Sequence, residues 1–247
     1  MFPLRDTIPS SRVPVVTIGI IIVNALVFLS ELGTSTCGVE NIFYHWGVVP
    51  CYFTGTCHGR LRTPCGFLPV PGQANYFTLL SSIFLHGGWM HIIGNMWSLW
   101  IFGDNVEDRM GRIGFLGFYL LSGLAAGVLH IVFNRASHVP TVGASGAIAG
   151  VMGAYLLLFP RATVITLVPI FIFLQTVELP AVVFLGLWFL MNLWSGLGSL
   201  AAHTQAGGVA WWAHIGGFLV GVFWALPLRR REDRRRQWYN GEYYNRW

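Results

Sequence analysis

Between Glu178 and Arg229 the chain runs for 50 residues without a charged side chain. A helix needs about 20 apolar residues to cross a bilayer, so this window holds two crossings. Shorter charge-free windows precede it: 18 residues between Arg12 and Glu31, 22 between Arg112 and Arg135, and 25 between Arg135 and Arg161. A further apolar run, "YFTLLSSIFLHGGWMHIIGNMWSLWIFG", contains the pair Gly87-Gly88, which separates an interfacial helix from a span over 89–103. The polar stretch "AAHTQAGG" at 201–208 divides the 50-residue window. The expectation is an all-α polytopic membrane protein with six spans. Composition agrees: charged residues are 10% of the chain, against about 25% in ordinary soluble chains. So few charges cannot cover a water-soluble body of 27.5 kDa with a mean hydropathy of +0.59.

Arginine sets the orientation, because all fifteen basic residues are Arg. With six spans and a cytoplasmic N-terminus, twelve of them fall inside: Arg5, Arg12, Arg109, Arg112, Arg161, six between Arg229 and Arg236, and Arg246. Three fall outside (Arg60, Arg62, Arg135). That bias satisfies the positive-inside rule. The apolar piece "TVITLVPIFIFLQ" (163–175) is short and holds Pro169. A crossing there would reverse the orientation, so it is read as an interfacial or re-entrant segment on the cytoplasmic side. Two units follow: a membrane domain over 1–228, with a first loop at 33–75 outside, and a basic, aromatic cytoplasmic tail over 229–247 that anchors to anionic lipid. No basic stripe runs through the fold, which argues against a nucleic-acid partner. Only about a dozen residues precede the first span, and no small-residue cleavage site follows it, so neither a signal nor a transit peptide is expected. The short N-terminus favours a bacterial cytoplasmic membrane.

All four cysteines (Cys37, Cys51, Cys57, Cys65) lie in the first loop. In an oxidising compartment they read as two disulfides, with three pairings open. A zinc site from Cys51, Cys57, His58 and Cys65 competes, although the spacing lacks a C-x2-C signature.

Ionisable groups inside spans are costly and mark candidate sites. They are His91, His130 and His214, with Asn24, Asn95, Asn192 and Ser145 as uncharged polar company. His130 ends the third span and is expected at the interface. Ser145, His214, His91 and Asn95 all fall at one level in the outer half of the membrane, and Asn95 is one helical turn after His91. Ser145 is followed by Gly146, Gly150 and Ala154, and His214 by Gly217, Gly221 and Ala225. Small residues four apart let two helices approach closely. Ser145 then comes within reach of a neutral imidazole, which accepts its proton and makes it a nucleophile. Attack on a peptide carbonyl creates an oxyanion, for which the Ser145 N–H, His91 and the Asn95 amide are candidate donors. Asp104, Glu107, Asp108 and Glu178 lie at the cytoplasmic end, so a Ser–His dyad without an acidic third member is expected.

These residues resemble the rhomboid family of intramembrane serine proteases. The motifs "HGGWMHIIGNM", "GDNVEDRMG", "GASGAIAG" and "AHIGGFLVG" occur in order on the expected spans. The resemblance implies a six-helix rhomboid-like bundle with a long first extracytoplasmic loop. It implies Ser145 as nucleophile, His214 as general base, and His91 with Asn95 in the oxyanion hole. Glu107 and Arg109 are then structural, and Gly143 and Gly217 permit close packing. Substrates are transmembrane segments of other proteins, cut near the outer face without metal or cofactor. The fifth span, with Trp188, Phe189 and Trp194, resembles a lipid-facing gate. Two departures stand out. Position 149, often an aromatic that stacks on the catalytic His, is Ala149, with Trp211 or Trp212 as possible replacements; and the first loop lacks the Trp-Arg pair of some members. A client-binding relative without activity would be marked by loss of Ser145 or His214, and both are present. A transporter or channel would call for interrupted helices or a repeat around an ion site, and the shallow polar cluster has no paired carboxylate.

Overall fold

A computed structural model describes residues 2–170, 173–201 and 209–244. Its long helices are α1 (Val15–Leu32), α5 (Trp89–Met110), α6 (Arg112–Phe133), α7 (Ser145–Leu158), α8 (Ala181–Ala201) and α9 (Trp211–Tyr244). Between α1 and α5 come the shorter α2 (Thr36–Trp46), α3 (Pro50–Thr54) and α4 (Thr78–Ser81) and a hairpin of β2 (Arg60–Thr63) and β3 (Gly66–Pro69). Among the described residues, α1, α6, α8 to Leu200 and α9 to Arg229 are long and apolar enough to cross a membrane. Helix α5 has the length, but Asn95, Asn105 and a charged last turn dilute its apolar character. Helix α7 has 14 residues. Outward-facing apolar side chains such as Leu26, Leu190 and Phe223 suit a lipid surround. The expected break at 201–208 lies, from 202 onward, outside the described residues.

The structure is mostly helical, but it corrects the all-α expectation. Residues 163–170 and 173–175, expected as an interfacial or re-entrant segment, are extended and lie in the antiparallel strands β4 (Thr163–Ile170) and β5 (Phe173–Pro180). The N-terminal arm adds an edge strand, β1 (Phe2–Asp6), in the order β1-β4-β5. Thr163, Val164, Ile165 and Thr166 are β-branched, which favours a pleated strand over a helix. Pro169 is tolerated because the β1 pairing ends at Leu167, before the missing N–H would matter on that side. Asp6 ties this sheet to the helices, accepting from Asn105 Nδ2 at 2.9 Å and the Tyr155 hydroxyl at 2.5 Å. Burial pushes the Asp6 carboxyl above its ordinary pKa, against the opposing effect of the Tyr155 bond. At the other end of the chain, α9 runs helically past Pro227 to Tyr244, so no break in the backbone marks the tail at 229.

Helix α5 extends well past the expected end at 103, because its last turn holds the start of α1. Buried Glu107 accepts from Val16 N at 3.0 Å, Thr17 N at 2.8 Å and Thr17 Oγ1 at 2.9 Å. The first N–H groups of a helix lack intrahelical partners and sit at the positive end of its dipole, so a carboxylate suits them. Asp108 binds the preceding Ser10 and Ser11. The Arg109 guanidinium lies 4.9 Å over the Phe159 ring.

The centre of the fold is the contact of α7 with α9. A Cβ at Gly217 would run into the Gly146 carbonyl, and one at Gly221 into the Gly150 carbonyl. The two backbones therefore touch. Around this pair pack Leu99 and Phe102 of α5, and Phe115, Phe118 and Tyr119 of α6, all fully buried.

The first loop pairs Cys37 with Cys65 and Cys51 with Cys57, which takes Cys51, Cys57 and Cys65 alike out of the competing zinc set, since zinc binds thiolates. The histidine near Cys57 is His138, Nδ1 to Sγ 3.7 Å, rather than the expected His58. The loop docks on the segment joining α6 to α7. Val48 bridges Thr141, Cys51 N donates to Ser137 O at 3.0 Å, and Thr54 Oγ1 to Arg135 O at 2.6 Å.

Two outcomes follow for thermal unfolding in detergent. Glu107→Ala leaves the buried Thr17 N–H and hydroxyl and the half-buried Val16 N–H without an acceptor, at about 1–3 kcal/mol for each buried unmet group, so its Tm should drop further than that of Asp108→Ala. Gly221→Val should cost about 1–3 kcal/mol or more through overpacking. Gly19→Ala, where nothing lies within 4 Å, should leave Tm unchanged or raise it.

Candidate active site

Ser145 is the first residue of α7, and His214 lies in the first turn of α9. The glycine contact between these helices brings the side chains together: Ser145 Oγ is 2.9 Å from His214 Nε2. Both are only partly buried. An alcohol donating to a neutral imidazole at this distance can lose its proton as it attacks an electrophile. The second imidazole nitrogen is also bonded, Nδ1 lying 2.7 Å from Asn192 Oδ1 of α8. Among the described residues, the partners of His214 are thus the Ser145 hydroxyl and a neutral amide.

His91 and Asn95 occupy one face of α5, beside the turn that leads into α7. Gly143 sits there with φ +129°, a conformation that side-chain-bearing residues rarely adopt. A Cβ on Gly143 would sit 2.6 Å from His91 Nε2 and 3.7 Å from Asn95 Nδ2. Gly143 thus lets the chain just before Ser145 pass against both side chains. His91 Nδ1 accepts from Gly87 N at 3.3 Å, so in the neutral ring the proton is on Nε2, the nitrogen facing Gly143. Asn95 is buried, and its Nδ2 has no hydrogen-bond partner among the described residues. Two donors, one of them unoccupied, lie close to the chain that carries Ser145.

His130, in the last turn of α6, is buried, and its Nε2 lies 2.9 Å from Thr141 Oγ1 in the segment before Ser145. Several residues sit elsewhere than expected. Trp212 stacks on Phe133 with centroids 3.8 Å apart and does not support His214. The Trp211 ring meets His214 edge-on at 6.3 Å, and the Trp188 ring lies tilted at 5.7 Å. Trp188 and Phe189 turn inward against Phe218, and of the three expected gate aromatics only Trp194 faces fully outward, at 81% exposure. With Ala149 fully buried at the α7–α9 contact, α8 and the start of α9 supply the rings around the histidine.

Residues 73–231 match the Rhomboid domain family. Rhomboid protein 1, mitochondrial, of Saccharomyces cerevisiae is 28% identical over 176 residues, 67% of this chain and 46% of that protein. RHOMBOID-like protein 5 of Arabidopsis thaliana is 31% identical over 159 residues, 64% of this chain and 46% of that protein. Rhomboid protease GluP of Bacillus subtilis is 34% identical over 158 residues, 63% of this chain and 27% of that protein. This chain thus spans less than half the length of each of these relatives. A mitochondrial protein stands beside a bacterial one among them, so the bacterial cytoplasmic membrane expected from the N-terminus gains no support. With most of its length matched by the family and the four motifs in their expected order, the chain is an integral membrane protein that belongs to the rhomboid family.

Proposed function

We propose that this chain is an intramembrane serine endopeptidase that cuts transmembrane segments of other proteins near the outer face. The observation that carries the reading is the 2.9 Å contact of Ser145 Oγ with His214 Nε2. In this mechanism His214 accepts the Ser145 proton as Oγ attacks the scissile carbonyl. It then returns the proton to the leaving amine, and a water repeats the cycle to release the acyl group. The oxyanion is held by the Ser145 N–H at the positive end of α7, by His91 Nε2–H and by Asn95 Nδ2–H. The unpartnered state of Asn95 Nδ2 supports that role, because the group would gain a bond only as the oxyanion forms. Six crossings by α1, α5, α6, α7, α8 and α9, with both termini cytoplasmic and the first loop outside, complete the arrangement.

Fluorophosphonate labelling of the detergent-solubilised protein tests this reading. Wild type should label, and both Ser145→Ala and His214→Ala should lose labelling entirely. Asn95→Ala should label more slowly by about 10²–10³-fold, the range for removing one oxyanion donor. An unlabelled wild type, in a preparation where a control protease labels, would overturn the reading in favour of a protein that binds transmembrane clients without cutting them.

A further inference from the structure

We infer that Asn192 of α8 is a positioning residue that holds His214 in the one neutral tautomer able to accept the Ser145 proton. The inference rests on the proposed hydrolytic role of Ser145 and His214 and extends their machinery to a third helix. Asn192 is 1% exposed and makes two bonds. Its Nδ2 donates to Trp188 O at 2.7 Å, one turn earlier on α8. A backbone carbonyl can only accept, so that contact must be made by the NH2 end of the amide. The carbonyl end, Oδ1, is then the atom facing His214 Nδ1 at 2.7 Å. An amide oxygen also only accepts, so Nδ1 must carry the proton. In the neutral ring Nε2 is left with a lone pair, and Nε2 is the nitrogen 2.9 Å from Ser145 Oγ. The main-chain carbonyl of Trp188 thus determines, through two successive bonds, which way the Ser145 proton can travel.

Electrostatics fits a neutral group at this position. A carboxylate would hold the imidazolium more strongly, but it would have to be buried in the same apolar surroundings, at a large desolvation cost. An amide gives the same orientation without a charge. Trp188 serves twice, since its carbonyl fixes the amide and its ring lies 5.7 Å from the imidazole. A purely structural Asn192 would affect stability alone. A positioning residue also affects the proton on His214.

Two measurements on the full chain in detergent separate these possibilities. Selective 15N-histidine NMR of wild type, with His214→Gln to identify the resonances, should show His214 protonated at Nδ1. In Asn192→Leu that preference should be lost. Labelling rates against pH supply the second readout. Asn192→Leu should label roughly 10- to 100-fold more slowly, up to the lower end of the 10²–10⁴-fold that general-base catalysis contributes, because His214 itself remains. Asn192→Asp, which keeps the acceptor and adds charge, should retain labelling with its acid limb moved to higher pH. Asn192→Gln should not rescue, because its extra methylene displaces the oxygen. A wild-type His214 protonated at Nε2 overturns the inference. So does an Asn192→Leu variant that labels at the wild-type rate with an unmoved acid limb. If wild type fails to label but His214 is protonated at Nδ1, the positioning stands and the proteolytic reading falls. If Asn192→Leu does not fold, the wild-type tautomer and the Asn192→Asp profile decide.

Discussion

Close contact between the backbones of α7 and α9 is the condition on which the rest depends. Lipid gives apolar helices no hydrophobic reason to associate, so packing and polar contacts must hold them together. Gly146 and Gly150 on one helix meet Gly217 and Gly221 on the other, with carbonyls where side chains would otherwise be. At that separation a serine side chain, among the shortest that carry a hydroxyl, spans the gap to His214. A wider crossing would have required a longer side chain or a bridging group to make the same contact. The remaining helices complete the site from outside this pair: α5 brings His91 and Asn95 to the turn at Gly143, and α8 brings Asn192 to the far side of His214.

The parts legible in the sequence are those written in short-range spacing. Glycines four apart after Ser145 and after His214 mark two facing helices, and His91 with Asn95 four later marks one face. Long-range pairing left no such trace. Nothing near residue 2 announces that it will pair with Leu167, so β1 and the sheet it completes were not foreseen. The run at 163–175 is apolar and β-branched, and its charge-free character looked like membrane insertion until a partner strand explained it. Cysteine pairing was open for the same reason, since four thiols in one loop fit three connectivities. Asn192 was visible as a polar residue in lipid. Its partner was hidden because an isolated Asn has no periodicity to say which helix it faces. The same holds for Trp188, where an aromatic in an apolar helix reads equally as lipid-facing or inward-facing.

The length of α7 explains why the first loop is so elaborately tied down. Fourteen residues rise about 21 Å, less than the roughly 30 Å hydrocarbon core of a bilayer. In the proposed six-crossing arrangement a helix this short starts below one surface, and Ser145 starts it. The chain from Asn134 to Ala144 then has to descend to that depth without regular helix, where unpaired peptide groups are costly. Its partners come from the first loop: Val48 pairs with Thr141, Cys51 N with Ser137 O, and Thr54 and Thr56 hydroxyls with Arg135 O. His130 adds a bond to Thr141 from below. The loop therefore supplies the hydrogen bonds that allow irregular backbone to approach Ser145. Its two disulfides close the segments that do this, Cys51–Cys57 around the docking turn and Cys37–Cys65 around the whole loop. Such a non-helical approach to Ser145 would suit the proposed hydrolysis, in which water must reach an acyl group that lipid would otherwise protect.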